Sequence, residues 1–237
     1  EFGAHGQVNV LEMVMAEVEA KSRLTGRPAA YKTGDVQFVS PPAVAAGNVI
    51  VGSTNNTKFR RIDGPSGVVR ALDARTGAFR WSFDPVPRKA GDPQAANWTP
   101  EALAATGAAN VWSFMSVDSA RGLVFLPTAS AAPDFFGGAR PGDNRYANSV
   151  VALKAATGAV AWHYQVVHHD VWDIDMPAQP ILADVRHNGR KVPAVVQLTK
   201  MGMIFVFDRD TGQPLFPVEE RPVPQDGVPG EHLSPTQ

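Results

Sequence analysis

One motif recurs three times and constrains the fold more than any other feature of the chain. Each copy holds two apolar residues, a short polar stretch, Thr-Gly, and an aromatic five residues after the Thr. The copies span residues 71–81, 152–162 and 206–216, with Trp81, Trp162 and Phe216 as the aromatics. The apolar runs at 68–72, 150–153 and 204–207 read as strands. The polar piece reads as a turn in which Gly77, Gly158 and Gly212 take positive φ. The aromatic then sits on a returning strand, where it can cover a neighbouring sheet.

Two more apolar stretches precede each hairpin: 42–46 and 49–53, then 113–117 and 123–127, then 179–185 and 194–198. Each unit is therefore predicted to be a four-stranded antiparallel meander. The units recur at spacings of 81 and 54 residues. Radially repeated four-stranded sheets with one aromatic signature each describe an all-β fold, the β-propeller. A β-sandwich with chance Thr-Gly turns is the rival, and the fixed aromatic offset weighs against it. About three blades are counted, over 38–85, 112–166 and 177–220, within one partial propeller domain, 1–237. Closed propellers have at least four. The chain is thus expected to be part of a larger ring or an open arc with exposed edges.

Composition agrees. Gly 21 and Pro 20 suit many short elements joined by turns. Hydrophobic residues at 44% and charged residues at 19% indicate a packed core. Lys+Arg 22 against Asp+Glu 23 leaves a net charge of -1, which excludes the basic footprint of a nucleic-acid binder. No cysteine is present, so disulfides, thiolate metal sites and a cysteine nucleophile are excluded. There is no run of about 18 apolar residues for a membrane span, and the opening residues do not read as a charged-then-apolar leader. The start at Glu1 and the stop at Gln237 read as those of a fragment or processed piece.

Three regions break the repeat. Residues 8–24 carry an amphipathic helical pattern, with a distorted leading strand as the rival. The Pro/Ala/Asn-rich insert at 86–111 holds a helix over 100–106 that Thr99 can cap. The tail, 217–237, reads as an extended loop that needs something to lie against.

The densest polar cluster is His168-His169-Asp170-Val171-Trp172-Asp173-Ile174-Asp175. It follows a strand and so sits on a loop at a blade boundary. If extended, it would point Asp173 and Asp175 one way and Asp170 the other. Clustered carboxylates serve as a general base or as oxygen ligands for a hard cation such as calcium. They also occur in ordinary solvated loops. Zinc on the two histidines is disfavoured, because adjacent side chains on a strand diverge.

This cluster, continued by Met176-Pro177-Ala178-Gln179-Pro180, resembles the pyrroloquinoline-quinone (PQQ)-dependent dehydrogenases of the membrane-bound glucose/quinate/shikimate family. So do Pro133-Asp134-Phe135-Phe136-Gly137-Gly138, the run from Pro141 to Ser149, Ala109-Asn110-Val111-Trp112-Ser113, and Val218-Glu219-Glu220-Arg221-Pro222-Val223-Pro224-Gln225. The similarity runs from about Phe2 to the end. It implies an eight-bladed propeller of which this chain is a segment. It also implies roles. Asp173 matches the base that takes the proton from a substrate hydroxyl. Lys200 matches the cation at the quinone oxygens, where negative charge grows on reduction. Trp112 matches the floor beneath the planar cofactor, and Trp172 stands beside the base as a further cofactor contact. Read from the residues alone, Lys200 is a plain strand-end lysine and Trp112 a packing aromatic.

A calcium or magnesium site would draw on Asp173, Asn56 and Ser130. The family's acidic ligand is replaced here by Asn56, with Lys58 nearby. An amide oxygen still binds calcium, with one formal charge fewer. The resemblance implies oxidation of a sugar or cyclic polyol hydroxyl, glucose or a related aldose being favoured over quinate/shikimate. Ubiquinone would be the electron acceptor, at the periplasmic face of the inner membrane, with the remaining blades of the parent protein as partners. A non-catalytic propeller segment, acting as a scaffold, is the reading of another class.

Overall fold

The computed structural model describes residues 1–25, 32–55, 64–87 and 92–237. It opens on helix α1 (Val10–Thr25), as the amphipathic pattern predicts. Asn9 caps it, with Oδ1 accepting from the Leu11 and Glu12 amides at 3.1 and 3.3 Å. The first strands are β1 (Val36–Gln37), β2 (Ala43–Ala45), β3 (Asn48–Val51), β4 (Thr54–Asn55), β5 (Val69–Asp73) and β6 (Phe79–Phe83). Helix α2 (Pro100–Ala105) lies in the insert. The remaining strands are β7 (Ser116–Asp118), β8 (Leu123–Pro127), β9 (Ser149–Lys154), β10 (Val160–Gln165), β11 (Ile181–His187), β12 (Arg190–Leu198) and β13 (Ile204–Asp208). All pairings between these strands are antiparallel, in sheets β2-β3-β5-β6, β10-β9-β8-β7 and β11-β12-β13, with β1 and β4 as a small separate pair.

The repeat folds as predicted at its turn. Asp73 Oδ1 accepts from the amides of Arg75 and Thr76 at 2.9 and 2.8 Å and from Thr76 Oγ1 at 3.0 Å. Asp208 Oδ1 does the same for Asp210, Thr211 and the Thr211 hydroxyl. A short acidic side chain thus pins the turn, and the following Gly77 and Gly212 close it at φ +74° and +72°.

The middle sheet explains its own sequence. Along β8, Val124 and Leu126 join Ile50, Val69 and Trp81 of the first sheet, while Leu123 and Phe125 join Val195, Phe205 and Phe207 of the third. Both faces of β8 are covered, so the strand reads as a continuous apolar run rather than an alternation. The aromatics of the repeat dock sheet to sheet. Trp81 Nε1 donates to Ala155 O at 3.1 Å and Trp162 Nε1 to Arg209 O at 3.0 Å, each reaching the next turn.

The third unit departs from the four-stranded prediction: its sheet has three strands. A fourth begins, with Pro214 bridging Phe207 and the Leu215 amide donating to Val206 O at 2.8 Å. Pro214 and Pro217 lack the N–H groups that would extend the ladder, so it stops. Phe216 is consequently 50% exposed, whereas Trp81 and Trp162 are each 7% exposed. In the insert, Thr99 Oγ1 accepts from the Ala102 amide at 3.2 Å, so the predicted cap is present. Val86, Trp98 and Ala102 pack with Ala109, Ala131 and Ala147. The tail makes a Pro222–Thr236 bridge and lies back over the loop at 168–175.

Candidate active site

Strand register brings the singled-out residues to one end of the sheets. Ser116 pairs with Phe125, Pro127 with Val150, and Gln165 with Ser149, so the start of β7 and the ends of β8 and β10 share an edge. Leu198 pairs with Ile204, which puts the β12–β13 turn beside the start of β11. Trp112 precedes β7, Ser130 follows β8, the acidic loop follows β10, and Lys200 sits in the β12–β13 turn. The Thr-Gly turns lie at the opposite ends of the strands.

Three of these residues meet on Asp175, two through side chains and Ser130 through its backbone amide. Trp112 Nε1 donates to its Oδ2 at 3.0 Å, and the Ser130 amide donates to Oδ1 at 2.7 Å. Lys200 Nζ lies 3.8 Å from Oδ2 and 3.4 Å from Asp173 Oδ2, and donates to the Asp173 carbonyl at 2.6 Å. Asp175 is buried, whereas Asp173 and Lys200 are partly accessible. The result is a cation flanked by two carboxylates, beside an indole ring whose edge is held. Such a set can take a proton from a hydroxyl and steady negative charge on a neighbouring oxygen.

The loop is not extended, and this corrects the expected alternation of its aspartates. Asp173 adopts φ +54° and His169 φ +44°. A non-glycine residue in the left-handed region carries strain, and such strain gathers at functional sites. Asp170 holds this shape from inside. Its Oδ1 accepts from the Trp172 amide at 2.9 Å, and its Oδ2 from the Ile174 amide at 2.7 Å and Asn148 Nδ2 at 3.0 Å. The Ser130 hydroxyl also donates to Oδ2. Asp170 and Asp175 therefore converge on Ser130 rather than pointing apart. Arg140, wholly buried, donates to Pro133 O at 2.9 Å, to Asn144 Oδ1 at 2.7 Å and to the Asp170 carbonyl. Burial pulls its pKa down, and the charges of Asp170, Glu231 and Asp134 oppose the pull.

The two histidines do diverge. His168 Nε2 reaches Glu220 at 3.1 Å on the surface. His169 is buried, with Nδ1 2.8 Å from Gly142 O and Nε2 2.9 Å from Glu231 Oε1 of the tail. Burial raises the Glu231 pKa, but the bonds from His169 and from the Gly137 and His232 amides outweigh it and leave the carboxyl below its ordinary value. Trp172 is 76% exposed and lines a cavity of about 790 Å³ roofed by the tail, together with Phe135, Met201, Met203, Phe205 and Val228. Asn56 and Lys58 lie outside the described residues. Among the described residues no three acidic or histidine side chains gather to hold a metal ion.

Sequence reasoning missed Asp175 as the hub, Asp170 as the internal brace, and Arg140 and Glu231 altogether. The first two lay within the acidic cluster. For Arg140 and Glu231 no local signal existed, since a buried ionic partner is indistinguishable in sequence from an exposed one.

The whole chain, residues 1–237, matches the family model described as PQQ: Glucose/ethanol/alcohol dehydrogenase, beta-propeller domain. It is 41% identical over 207 residues to a quinoprotein glucose dehydrogenase of Escherichia coli, covering 87% of this chain and 25% of that protein. It is 38% identical over 239 residues to a quinate/shikimate dehydrogenase (quinone) of Acinetobacter baylyi, covering 100% of this chain and 27% of that one. Among solved structures, the quinohemoprotein alcohol dehydrogenase of Comamonas testosteroni superposes with a TM-score of 0.68 at 29% identity, over 83% of this chain and 30% of that one. The chain thus spans about a quarter of the length of these curated relatives.

Proposed function

The chain belongs to the PQQ-dependent glucose/ethanol/alcohol dehydrogenase β-propeller family, and from that premise we propose that it carries the base and cofactor-contacting part of a sugar- or polyol-oxidising active site. The observation that carries this reading is the Asp173–Lys200–Asp175–Trp112 constellation at one end of the sheets.

The residues fit the cofactor. A planar ring system needs a flat apolar floor, and Trp112 offers an indole fixed through its N–H to Asp175. Quinone oxygens need a cation, and Lys200 Nζ is held in place by the Asp173 carbonyl. When bound, pyrroloquinoline quinone supplies the two-electron acceptor. The chain's own contribution is the proton. Asp173 Oδ2 takes it from the substrate hydroxyl as the alcohol becomes a carbonyl. The Lys200 charge, 3.4 Å from that carboxylate, steadies negative oxygen charge beside it.

A calcium or magnesium ion belongs to the proposal, with Asp173, Ser130 and Asn56 as its ligands in this chain. The Ser130 hydroxyl donates to Asp170, which leaves Asp173 as the readier ligand among the described residues. Glucose or a related aldose is the favoured substrate. The likeness to a quinate/shikimate enzyme keeps cyclic polyols as the second substrate class. Ubiquinone as acceptor and a place at the periplasmic face of the inner membrane complete the proposal. Among the described residues no helix is long and apolar enough to cross a membrane.

The test uses the full-length protein that carries this chain, reconstituted with pyrroloquinoline quinone and calcium. Asp173→Asn is expected to retain the cofactor, followed by its absorbance, and to lose about a hundredfold or more in turnover of glucose or quinate. Undiminished turnover in that variant would refute the assignment of the base.

A further inference from the structure

We propose that Glu231 and His169 form a latch by which the tail fixes the loop bearing Asp173, making both of them positioning residues. The proposal rests on the reading of Asp173 as the base.

Three segments meet at this latch. Glu231 Oε2 accepts from the Gly137 amide at 2.7 Å, and Oε1 accepts from the His232 amide at 3.1 Å and faces His169 Nε2 at 2.9 Å. The side chains of His169 and Glu231 are 2% and 4% exposed. The Gly142 carbonyl can only accept, so His169 Nδ1 carries the proton on that side. The ring is thereby clamped at both nitrogens, between the loop at 137–142 and the tail. The fit has no slack. A Cβ on Gly137 would strike His169 Nε2, and one on Gly138 would strike the Gly230 carbonyl. Gln237 adds a second tie from the tail, its Oε1 accepting from the His168 amide at 2.9 Å.

The latch acts one residue away from the brace of the active loop. His169 sits in the left-handed region, and the next residue, Asp170, makes the bonds that shape 172–174. Without the clamp on its ring, His169 relaxes toward ordinary backbone angles and Asp170 rotates with it. Asp173 then moves relative to Lys200. Among the described residues no hydrogen bond joins His169 or Glu231 to Trp112 or Lys200, so the latch reaches the cofactor contacts only through the loop, by way of the Asp173 carbonyl on Lys200. A shift of about 1 Å at a reacting group costs up to about a hundredfold in rate.

In the reconstituted full-length protein, Glu231→Ala is expected to lower kcat about tenfold or more, with KM and cofactor retention changed by a smaller factor than kcat. Glu231→Gln is expected to recover part of that loss, because its oxygen still accepts from Gly137 and its amide can donate to Nε2 of the neutral ring, while the bond from the His232 amide is lost. Gly137→Ala keeps both partners but forces them apart, and it should lower kcat as Glu231→Ala does. The latch is overturned if Glu231→Ala leaves kcat unchanged while Asp173→Asn is inactive. It is also overturned if kcat, KM and cofactor retention fall together and Glu231→Gln rescues none of them, which marks fold support alone. If Asp173→Asn keeps turnover, the base assignment fails first and the positioning role falls with it.

Discussion

At the scale of single residues, Gly158 and Gly212 show why the Thr-Gly pair repeats. Their φ values of +72° close the turn, but conformational freedom is only half the reason. A Cβ on Gly158 would lie 2.5 Å from the Trp81 ring, and one on Gly212 2.5 Å from the Trp162 ring. The glycine of one unit is the seat for the aromatic of the unit before it. The two recurring ends of the motif are thus halves of one contact between successive sheets. Gly158→Ala should destabilise the protein by about 2 kcal/mol, through both the positive φ and the displaced ring. Urea unfolding followed by tryptophan fluorescence measures this, and a shift under about 0.5 kcal/mol would deny the seat its importance. Gly122, with no neighbour within contact of an added Cβ, is the internal comparison.

At the scale of elements, legibility followed locality. Helix α2 was readable because Thr99 and Pro100 are a local start signal, and the structure shows that cap made. Thr99→Ala should cost about 1 kcal/mol, and Thr99→Ser almost nothing, by thermal or urea denaturation. Equal losses for both variants would place the threonine's value in its methyl group instead. The strands β8, β9 and β13 were likewise readable from apolar runs. The fourth strand that the repeat motif predicts for the third unit is cut short by the two prolines that flank Phe216. The acidic loop was located correctly, yet its shape was not. An alternation rule assumes extended backbone, and the Asp170 bonds to the Trp172 and Ile174 amides fold the loop instead.

At the scale of the molecule, the second and third sheets are tied by charge as well as by apolar contact. Asp118 Oδ2 lies 3.0 Å from Arg209 Nη1 and 3.1 Å from Arg121 Nη1, and Arg121 Nε continues to Asp210 Oδ1 at 2.7 Å. Burial raises the Asp118 pKa, but the hydrogen bonds from Arg209 and Arg121 outweigh it, so the carboxyl ends below its ordinary value. Glu231 is depressed in the same sense. A carboxyl with a lower pKa folded than unfolded contributes stability above its unfolded pKa. That contribution is lost as pH falls through the folded value. Thermal midpoints should therefore hold steady down to about pH 5 and fall below about pH 4. Asp118→Asn should lose about 3 kcal/mol at neutral pH and show a shallower acid slope. A slope unchanged in that variant would assign the acid sensitivity elsewhere.

The sequence by itself determined the local events. The Thr-Gly turns, the apolar strands and the cap of α2 are all written in short stretches of chain. Each depends on neighbours a few residues away, where propensity and periodicity act. Tertiary structure decided what no such stretch contains. It made Asp175 the meeting point of Trp112, Ser130 and Lys200, buried Arg140 beneath the Asp170 carbonyl, and brought Glu231 across 62 residues to His169. The physical reason is that the worth of a charge depends on its surroundings. An exposed carboxylate is a solvated surface group, and the same carboxylate out of water demands a partner. Only the packing of three sheets and a tail fixes which carboxylates are which.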